Sequence, residues 1–396
     1  MIVTSDFECG NGKDIREIAP RRWSVVERGD RETYCYYFCV EVKAERPDEA
    51  GEVTLEILGD PALKSPEKGD VGTQGLMGHC PCTVWVAQWE EWRPLPMTRV
   101  DFLTDRIVIR LNVPADGRLR VANVIPAPYT ETVEFLKSCA ARRPKDAEFI
   151  EVGRTAEGRP FPGIRVTEGL SANPSGKLGA SGKPRVVVFS GQHAIEFPGV
   201  FGSRGIADWL TSRLPEAAEV RRKYDVVVLP LVNPDGTFHG RNNFNALGED
   251  VYAGCADAAA GKRPESLDAA ALWDFLQEPV PEMLLNIHCY CSLNAFVEYP
   301  MNGMYVLRDE ALVDPARRER QRTIDEFVRF GSSGLTGHTR PNVMGVPGIN
   351  HQMALAHGTF SILFEINAST HGPTGAGREA IACFRAMLRG YEAAGD

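Results

Sequence analysis

Residues 185–196 read Arg185-Val-Val-Val-Phe-Ser-Gly-Gln-His-Ala-Ile-Glu196, and this stretch decides the fold class. It begins with a nearly uninterrupted apolar run, which is typical of a β-strand covered on both faces. Similar runs follow downstream, with apolar residues at helical spacing between them. Strands that alternate with helices predict an α/β domain in which a sheet lies between helices. The later apolar runs cover residues 224–231, 283–287 and 360–364, and the helical patterns cover about 200–214, 265–277, 316–330 and 376–393.

The first 125 residues show a different pattern. In residues 52–57 and again in residues 107–113, apolar side chains alternate with polar ones, as a strand with one buried face requires. We therefore expect an antiparallel β-sandwich domain over residues 1–125. The segment Pro126-Ala127-Pro128 marks the change of pattern, so a second domain is expected over residues 126–396.

Size and charge exclude several classes of protein. With 396 residues, 43% of them hydrophobic and 24% charged, the chain is neither a disulfide-stapled miniprotein nor disordered. Its formal net charge of -9 disfavours binding to nucleic acid. The sequence contains no run of roughly 20 apolar residues that could span a membrane. Its first residues are acidic rather than basic, unlike a signal peptide, so we expect a cytoplasmic protein that binds no membrane. The oligomeric state has no signal in the sequence.

Polar residues follow two of the predicted strands. His193 and Glu196 come after the strand that ends at Ser190, and His288 comes after the run at 283–287. Functional groups collect at the carboxyl ends of strands in such sheets, so we expect these side chains to meet. Two imidazoles and one carboxylate suit Zn²⁺, and three protein ligands leave a fourth position for water. The sequence therefore predicts one zinc ion per chain; the alternative is that each histidine is simply a hydrogen-bonded polar residue.

Glu365 follows the last apolar run, where burial disfavours a carboxylate charge unless something compensates it. A zinc ion lowers the pKa of water toward 7, and a nearby carboxylate can take the proton and pass it to a leaving amine. We therefore predict that Glu365 is a general base and acid. The alternative is a structural ion pair with an arginine.

Five blocks occur in a fixed order along the chain: His193-x-x-Glu196, Asn233-Pro-Asp-Gly236, Gly248-x-Asp250, His288-Cys-Tyr-Cys-Ser292 and Phe364-Glu365. In order and approximate spacing they resemble the zinc carboxypeptidases of the funnelin type, peptidase family M14, and most closely the cytosolic carboxypeptidase branch. Phe7-Glu-Cys-Gly-Asn11 and Tyr36-Tyr-Phe38 are similar to the opening strands of the β-sandwich that this branch carries. The resemblance implies a mixed central sheet covered by helices, preceded by that sandwich.

The resemblance also implies roles for individual residues. His193, Glu196 and His288 match the zinc ligands of the family, and Glu365 matches its catalytic glutamate. Asp250 falls where the family has an aspartate that accepts a hydrogen bond from the first ligand histidine and so orients its ring. The alternative for Asp250 is a loop residue that caps a turn.

The chain departs from the family where substrate is bound. The family reads Gly-x-Asp-Leu-Asn-Arg, whose last two residues grip a terminal carboxylate, but this chain reads Gly248-Glu-Asp-Val-Tyr-Ala253. The resemblance therefore implies that Tyr252 lies at the substrate. The arginine that polarises the scissile carbonyl aligns with Asn243, and Arg241 lies two residues earlier. Either is a candidate for stabilising the oxyanion, although Arg241 could equally be a solvated surface residue.

A second departure concerns a tyrosine that the family often carries before its catalytic glutamate. No tyrosine occurs between Tyr305 and Tyr391, so Asn350 and His351 are the candidates to line that region. His351 could as easily be an ordinary loop residue.

The altered clamp predicts altered specificity, because neither tyrosine nor alanine replaces a bidentate arginine contact. We expect a zinc-dependent hydrolase of an amide or peptide bond, an amidase or deacylase of a small or modified substrate. One alternative is an ordinary cytosolic metallocarboxypeptidase that removes C-terminal residues from peptides, which requires Arg241, Arg340 or another cation to take over the clamp. The other is a non-catalytic binding protein on the same fold.

Overall fold

The computed structural model describes most of the chain. The described residues are 1–30, 37–65, 69–70, 72, 75–76, 83–88, 91–115, 117–170, 181–290, 303–306, 314–331, 339–341, 348–368 and 371–395. Tyr36, Cys291 and Ser292, which belong to blocks quoted above, lie outside these ranges. Within the described ranges, the helices are all too short or too polar to cross a lipid bilayer.

The elements with described bounds in the amino-terminal part of the chain are short strands and two 3₁₀ turns, at Pro47–Glu49 and Met97–Arg99. The strands are β1 (Ile2–Thr4), β2 (Lys13–Ala19), β3 (Arg22–Val26), β4 (Cys39–Lys43), β5 (Gly51–Leu58), β6 (Lys64–Ser65), β7 (Gly69–Asp70), β8 (Trp85–Gln88), β9 (Glu91–Pro94), β10 (Val100–Phe102), β11 (Arg106–Val113) and β12 (Arg118–Ala122).

Ten of these strands form two five-stranded sheets, with orders β1-β4-β12-β8-β9 and β10-β11-β5-β3-β2. The alternating side chains predicted from the sequence make a shared core, which includes Leu55, Ile57, Ile107 and Ile109. All pairings are antiparallel except that of β3 with β5, which is parallel. This differs from the predicted antiparallel sandwich because the chain passes through β4 of the other sheet between them and so returns in the same direction.

Among the described residues, the rest of the chain contains eight strands and eight α-helices, with 3₁₀ turns at Ala253–Cys255 and Ala258–Ala260. The strands are β13 (Ala147–Val152), β14 (Phe161–Val166), β15 (Arg185–Ser190), β16 (Asp225–Leu229), β17 (Met283–Tyr290), β18 (Gly303–Val306), β19 (Thr339–Pro341) and β20 (Phe360–Asn367). The helices are α1 (Tyr129–Arg142), α2 (Phe197–Leu210), α3 (Pro215–Lys223), α4 (Pro234–Phe238), α5 (Leu267–Gln277), α6 (Pro315–Gly331), α7 (Ile349–His357) and α8 (Pro373–Gly395).

The eight strands form one mixed sheet in the order β13-β14-β16-β15-β17-β20-β18-β19. Strands β16, β15, β17 and β20 are parallel at its centre, and antiparallel pairings flank them. Both faces are covered: Val186 and Val188 belong to a core that includes residues of α2 and α8, while Val187 and Phe189 belong to one that includes residues of α5 and α7. The predicted fold class, a mixed sheet covered by helices and preceded by β-sheets, is confirmed. The division at residues 125 and 126 remains a proposal.

Two predicted strand ends are wrong. We expected His288 and Glu365 to follow their strands, but both lie within them, because β17 continues to Tyr290 and β20 to Asn367. The parallel ladder between these strands persists through His288 and Glu365, which are direct partners in the register. Hydrogen bonding between the two backbones thus extends each strand past the end of its apolar run.

Candidate metal centre

The loop between β15 and α2 carries the first two candidate ligands. Gly191 follows the strand with a φ of +67°, a left-handed conformation that glycine adopts at little cost and that turns the chain out of the sheet. Glu196 is the last residue before α2, and Pro198 stands in the first turn of that helix, where its missing N–H does no harm. His193 and Glu196 therefore lie in a short loop whose two ends are fixed by regular structure.

The segment that begins at Asn233 supports this loop through hydrogen bonds. Asn233 caps α4 by accepting a hydrogen bond from the Gly236 amide, and its own amide donates to the Gln192 carbonyl at 3.0 Å. Thr237 donates to the carbonyl of Ala194 at 3.2 Å. The Asn233-Pro-Asp-Gly236 block, one of the five that carry the family resemblance, thus holds the backbone of the loop that contains His193 and Glu196.

Folding brings His193, Glu196 and His288 together. One ligand atom from each lies within 4.8 Å of the others. The Glu196 carboxylate lies between the rings, with Oε1 at 2.7 Å from His193 Nδ1 and Oε2 at 2.8 Å from His288 Nδ1. The ring centroids of the histidines are 5.0 Å apart. The side chain of His288 is 2% exposed, and those of His193 and Glu196 are 11% and 12% exposed.

The ionisable groups of this cluster shift one another's pKa values. Burial by itself would raise the pKa of Glu196, but the imidazoles of His288 and His193 hold it well below its usual range. Burial lowers the pKa of His193, and the carboxylates of Glu196 and Asp250 outweigh that effect, so this pKa is raised. The two imidazoles thus favour the ionised form of the Glu196 carboxylate, which is the form that a cation binds.

Glu365 lies beside this cluster on the neighbouring strand. It is buried, at 6% exposure, and burial together with the negative charge of Glu196 raises its pKa well above the ordinary value. Among the described residues, its Oε2 is a buried acceptor without a hydrogen-bond partner. A divalent cation held by the three ligands would oppose both the repulsion from Glu196 and the cost of burying this carboxylate.

The residues present therefore fit a zinc ion. Two imidazole nitrogens and a carboxylate are the donor set of catalytic zinc sites, which keep one position open. A buried carboxylate with an unoccupied oxygen stands next to that donor set.

Tyr252 packs against both candidate histidine ligands. Its ring centroid lies 5.7 Å from that of His193 and 5.6 Å from that of His288. The ring also packs against Gly348, where an added Cβ would lie 2.3 Å from ring carbons of Tyr252. An aromatic ring thus occupies the space next to the two histidines.

Asp250 caps a turn in this structure. Its Oδ1 accepts hydrogen bonds from the amides of Tyr252 at 2.8 Å and Ala253 at 3.0 Å. Its charge also raises the pKa of His193, so it lies near enough to act on that ring. The assignment of Asp250 as a hydrogen-bond acceptor for His193 stays a prediction.

The two oxyanion candidates are held by Asp30, in the segment that follows β3. Arg241 pairs with buried Asp30, with Nη1 3.3 Å from Oδ1, and its guanidinium also lies 3.4 Å from the Ala246 carbonyl. The backbone amide of Asn243 donates a hydrogen bond to Asp30 Oδ2 at 3.0 Å. Their predicted catalytic roles remain proposals, and the partner observed for the Arg241 charge is Asp30.

The remaining substrate candidates lie around β20. The side-chain amide of Asn350 donates to Ser361 Oγ at 2.7 Å and to the Ile362 carbonyl at 3.1 Å, so it fastens α7 to the strand that carries Glu365. His351 is partly buried, which lowers its pKa. Arg340 lies in β19, whose backbone pairs with β18 near the sheet edge. Substrate contacts of these three residues stay predictions.

Sequence reasoning missed two buried amides at the centre, Gln192 and Asn286. Asn286 donates to Gln192 Oε1 at 2.7 Å, and the same oxygen lies 3.2 Å from His288 Nε2. The signal was present: Asn286 is a polar residue in an otherwise apolar strand, two positions before a candidate ligand and hence on the same face.

Comparison with known proteins confirms the family resemblance. Residues 132–258 match the sequence profile of a family described as zinc carboxypeptidase. Zinc carboxypeptidase A 1 of Drosophila melanogaster is 31% identical over 131 residues, which are 32% of this chain and 29% of that protein. A protein of Talaromyces marneffei named inactive metallocarboxypeptidase ecm14 is 28% identical over 112 residues, 28% of this chain and 18% of that protein. The chain therefore spans less than a third of the length of these curated relatives.

Solved structures share the whole fold. A metallo-carboxypeptidase from Burkholderia cenocepacia superposes with a TM-score of 0.75 at 17% identity, covering 99% of each chain. A metallo-carboxypeptidase from Pseudomonas aeruginosa, in complex with (2-guanidinoethylmercapto)succinic acid, superposes with a TM-score of 0.72 at 18% identity, covering 100% of this chain and 97% of that one. These likenesses establish the fold, including the amino-terminal sheets.

Proposed function

We propose that this chain is a zinc-dependent hydrolase of metallocarboxypeptidase type that cleaves an amide bond in a substrate without a free terminal carboxylate. One observation carries the proposal: buried Glu365, with a free Oε2, is the direct strand partner of His288 in the His193, Glu196 and His288 cluster. A carboxylate in this position serves proton transfer beside a metal-activated water.

The three clustered residues would hold the metal, His193 and His288 through Nδ1 and Glu196 through its carboxylate. Zinc, when bound, supplies Lewis-acid chemistry that lowers the pKa of water and polarises a carbonyl group. Glu365 accepts one proton of the attacking water at its carboxylate as the carbon–oxygen bond forms. It then donates that proton to the amide nitrogen as the carbon–nitrogen bond breaks, which yields a carboxylic acid and an amine.

The specificity part of the proposal rests on Tyr252 and Arg241. Tyr252 fills the position next to the ligands with a neutral ring, and the charge of Arg241 faces Asp30. Neither arrangement offers a free cation to a substrate carboxylate. A small or modified amide therefore suits this site better than an ordinary peptide terminus.

Two other functions keep support. The carboxypeptidase names of the relatives favour an ordinary metallocarboxypeptidase that removes C-terminal residues from peptides. The relative named inactive favours a binding protein without catalysis.

Paired substrates separate these functions. We would incubate the zinc-loaded protein with acyl-dipeptides and N-acyl amines in matched pairs, one member with a free terminal carboxylate and the other with a carboxamide. Faster release of amine from the blocked members supports the proposal, and a clear preference for the free acids supports the ordinary carboxypeptidase. The Glu365→Gln variant should bind zinc but lose at least 100-fold in rate. If both proteins are equally inactive on the whole panel, the binding-protein function is favoured.

A further inference from the structure

Gln192 occupies a fully buried position next to the candidate centre. It precedes His193 directly, and its backbone carbonyl accepts a hydrogen bond from the side-chain amide of Asn233 at 3.0 Å. Its backbone is therefore fixed, and its side chain reaches toward β17 rather than solvent.

The carboxamide of Gln192 connects the two halves of the candidate ligand set. Its Oε1 accepts a hydrogen bond from Asn286 Nδ2 at 2.7 Å and lies 3.2 Å from His288 Nε2. Asn286 and His288 are two residues apart on β17, so their side chains project from the same face of the strand. One oxygen atom thus meets a donor from Asn286 and a ring nitrogen of His288.

This contact suits the proton position that metal binding through Nδ1 requires of His288. A carboxamide oxygen only accepts hydrogen bonds, so the ring nitrogen that faces it, Nε2, must be the donor. A neutral imidazole with its proton on Nε2 has its lone pair on Nδ1. Nδ1 is the nitrogen that faces Glu196 Oε2 at 2.8 Å, on the side where the three ligand atoms converge.

We infer that Gln192 is a positioning residue, held by Asn286, that fixes the tautomer and orientation of His288 for metal binding. The inference rests on the zinc site of the proposed function. Partners of this kind change metal affinity by about 10- to 100-fold when they are removed. The amide orientation is what matters: with both amides rotated, Gln192 would donate to Nε2 and place the proton on Nδ1, where it would compete with the metal.

The test compares zinc affinity among three variants. Gln192→Met removes the acceptor with little change of shape, and its zinc Kd should rise about 10- to 100-fold. Gln192→Glu keeps a hydrogen-bond acceptor at this position. Its zinc Kd should stay within about threefold of wild type, because a carboxylate also accepts the Nε2 proton of His288. The matched control is Gln352→Met, since Gln352 is a buried glutamine that bonds the Ala259 amide and the Ala256 carbonyl. It should lower stability and leave the zinc Kd unchanged.

Zinc Kd values come from competition with a chromophoric chelator, and unfolding of the metal-free proteins is followed by circular dichroism. A second readout is the ¹⁵N spectrum of labelled imidazoles, in which the His288 signal is identified by its loss in His288→Gln. In the zinc-loaded proteins, the His288 Nε2–H signal should show the shift of a hydrogen bond to Gln192 in wild type and lose that shift in Gln192→Met. An unchanged or tighter zinc Kd in Gln192→Met overturns the inference. A wild-type protein that binds no zinc overturns the proposed function itself.

Discussion

The carboxylate of Asp30, in the amino-terminal part of the chain, pairs with the guanidinium of Arg241 in the segment that follows α4. The same carboxylate accepts the backbone amides of Asn243 and Phe244 at 3.0 and 3.2 Å. The carbonyl of Asn242, within this segment, accepts the amide of Ile195 in the ligand loop at 3.1 Å. A short chain of hydrogen bonds therefore joins Asp30, in the segment after β3, to the loop that carries the candidate metal ligands.

Asp30→Asn should loosen this connection. An asparagine amide cannot accept hydrogen bonds through both of its terminal atoms, and the variant leaves Arg241 without its charged partner. We expect a loss of about 2 kcal/mol in the free energy of unfolding and weaker zinc binding, measured by urea unfolding and chelator competition. The control Asp101→Asn removes a solvent-exposed partner of Arg110 and should cost about 0–1 kcal/mol. Equal losses in the two variants would contradict this prediction.

Gly348→Ala should displace the Tyr252 ring. The backbone of Gly348, with a φ of -72°, suits alanine, so the effect comes from a Cβ placed 2.3 Å from the ring. We expect a cost of about 1–3 kcal/mol in unfolding free energy and a changed near-ultraviolet circular dichroism spectrum.

Two further variants isolate this contact. In the Tyr252→Ala background the same glycine substitution should cost less than about 0.5 kcal/mol, because the clashing ring is gone. Gly372→Ala, whose Cβ would meet Trp85 at an ordinary 3.8 Å, is the control. A cost that is the same with and without the Tyr252 ring would rule out the contact as its cause.

Asp225→Asn should strongly destabilise the protein. Asp225 and Arg165 form a two-pronged ion pair at 2.9 and 2.8 Å, and their side chains are 1% and 3% exposed. The substitution leaves the buried guanidinium of Arg165 with the longer contact to Glu148 Oε1 at 3.4 Å, and breaking a buried ion pair costs about 3–5 kcal/mol. Asp208→Asn, which removes the exposed partner of Arg142, should cost at most about 1 kcal/mol. Thermal and urea unfolding measure both, and a small loss in Asp225→Asn would show that water reaches the pair.

Ionisation of Asp268 should lower the free energy of unfolding as pH rises. It is fully buried in the first turn of α5, and burial, with a further contribution from Asp235 and Glu249, raises its pKa from 3.8 to about 7. The folded state therefore holds a proton that the unfolded chain releases near pH 4. Its contribution to stability is complete below about pH 4 and is lost as pH rises to about 7, up to about 4 kcal/mol at 1.4 kcal/mol for each pKa unit.

Asp268→Asn tests this directly, because asparagine stays neutral at every pH. The difference in unfolding free energy between variant and wild type, measured in urea from pH 4 to 8, should grow in favour of the variant across this range. A difference that stays constant with pH would show that Asp268 ionises alike in both states.

The elements predicted correctly were those that local pattern specifies. Apolar runs such as residues 185–190 form strands because their composition suits strands buried on both faces, and α5 and α6 match the helical patterns at 265–277 and 316–330. The strand ends were not predictable in the same way. His288 and Glu365 are polar, and only the ladder between β17 and β20 keeps them in regular structure.

The sequence by itself determined the fold class and nominated His193, Glu196, His288 and Glu365, because residue type, spacing and order along the chain carry that information. The tertiary structure alone decided which side chains meet across long separations. Asp30 reaches the segment at 241–244, the Gln192 oxygen meets His288, and Gly348 receives the Tyr252 ring. Such contacts depend on how sheets and helices pack, and a hydrogen bond or a close approach between distant residues leaves no periodic signal in the chain.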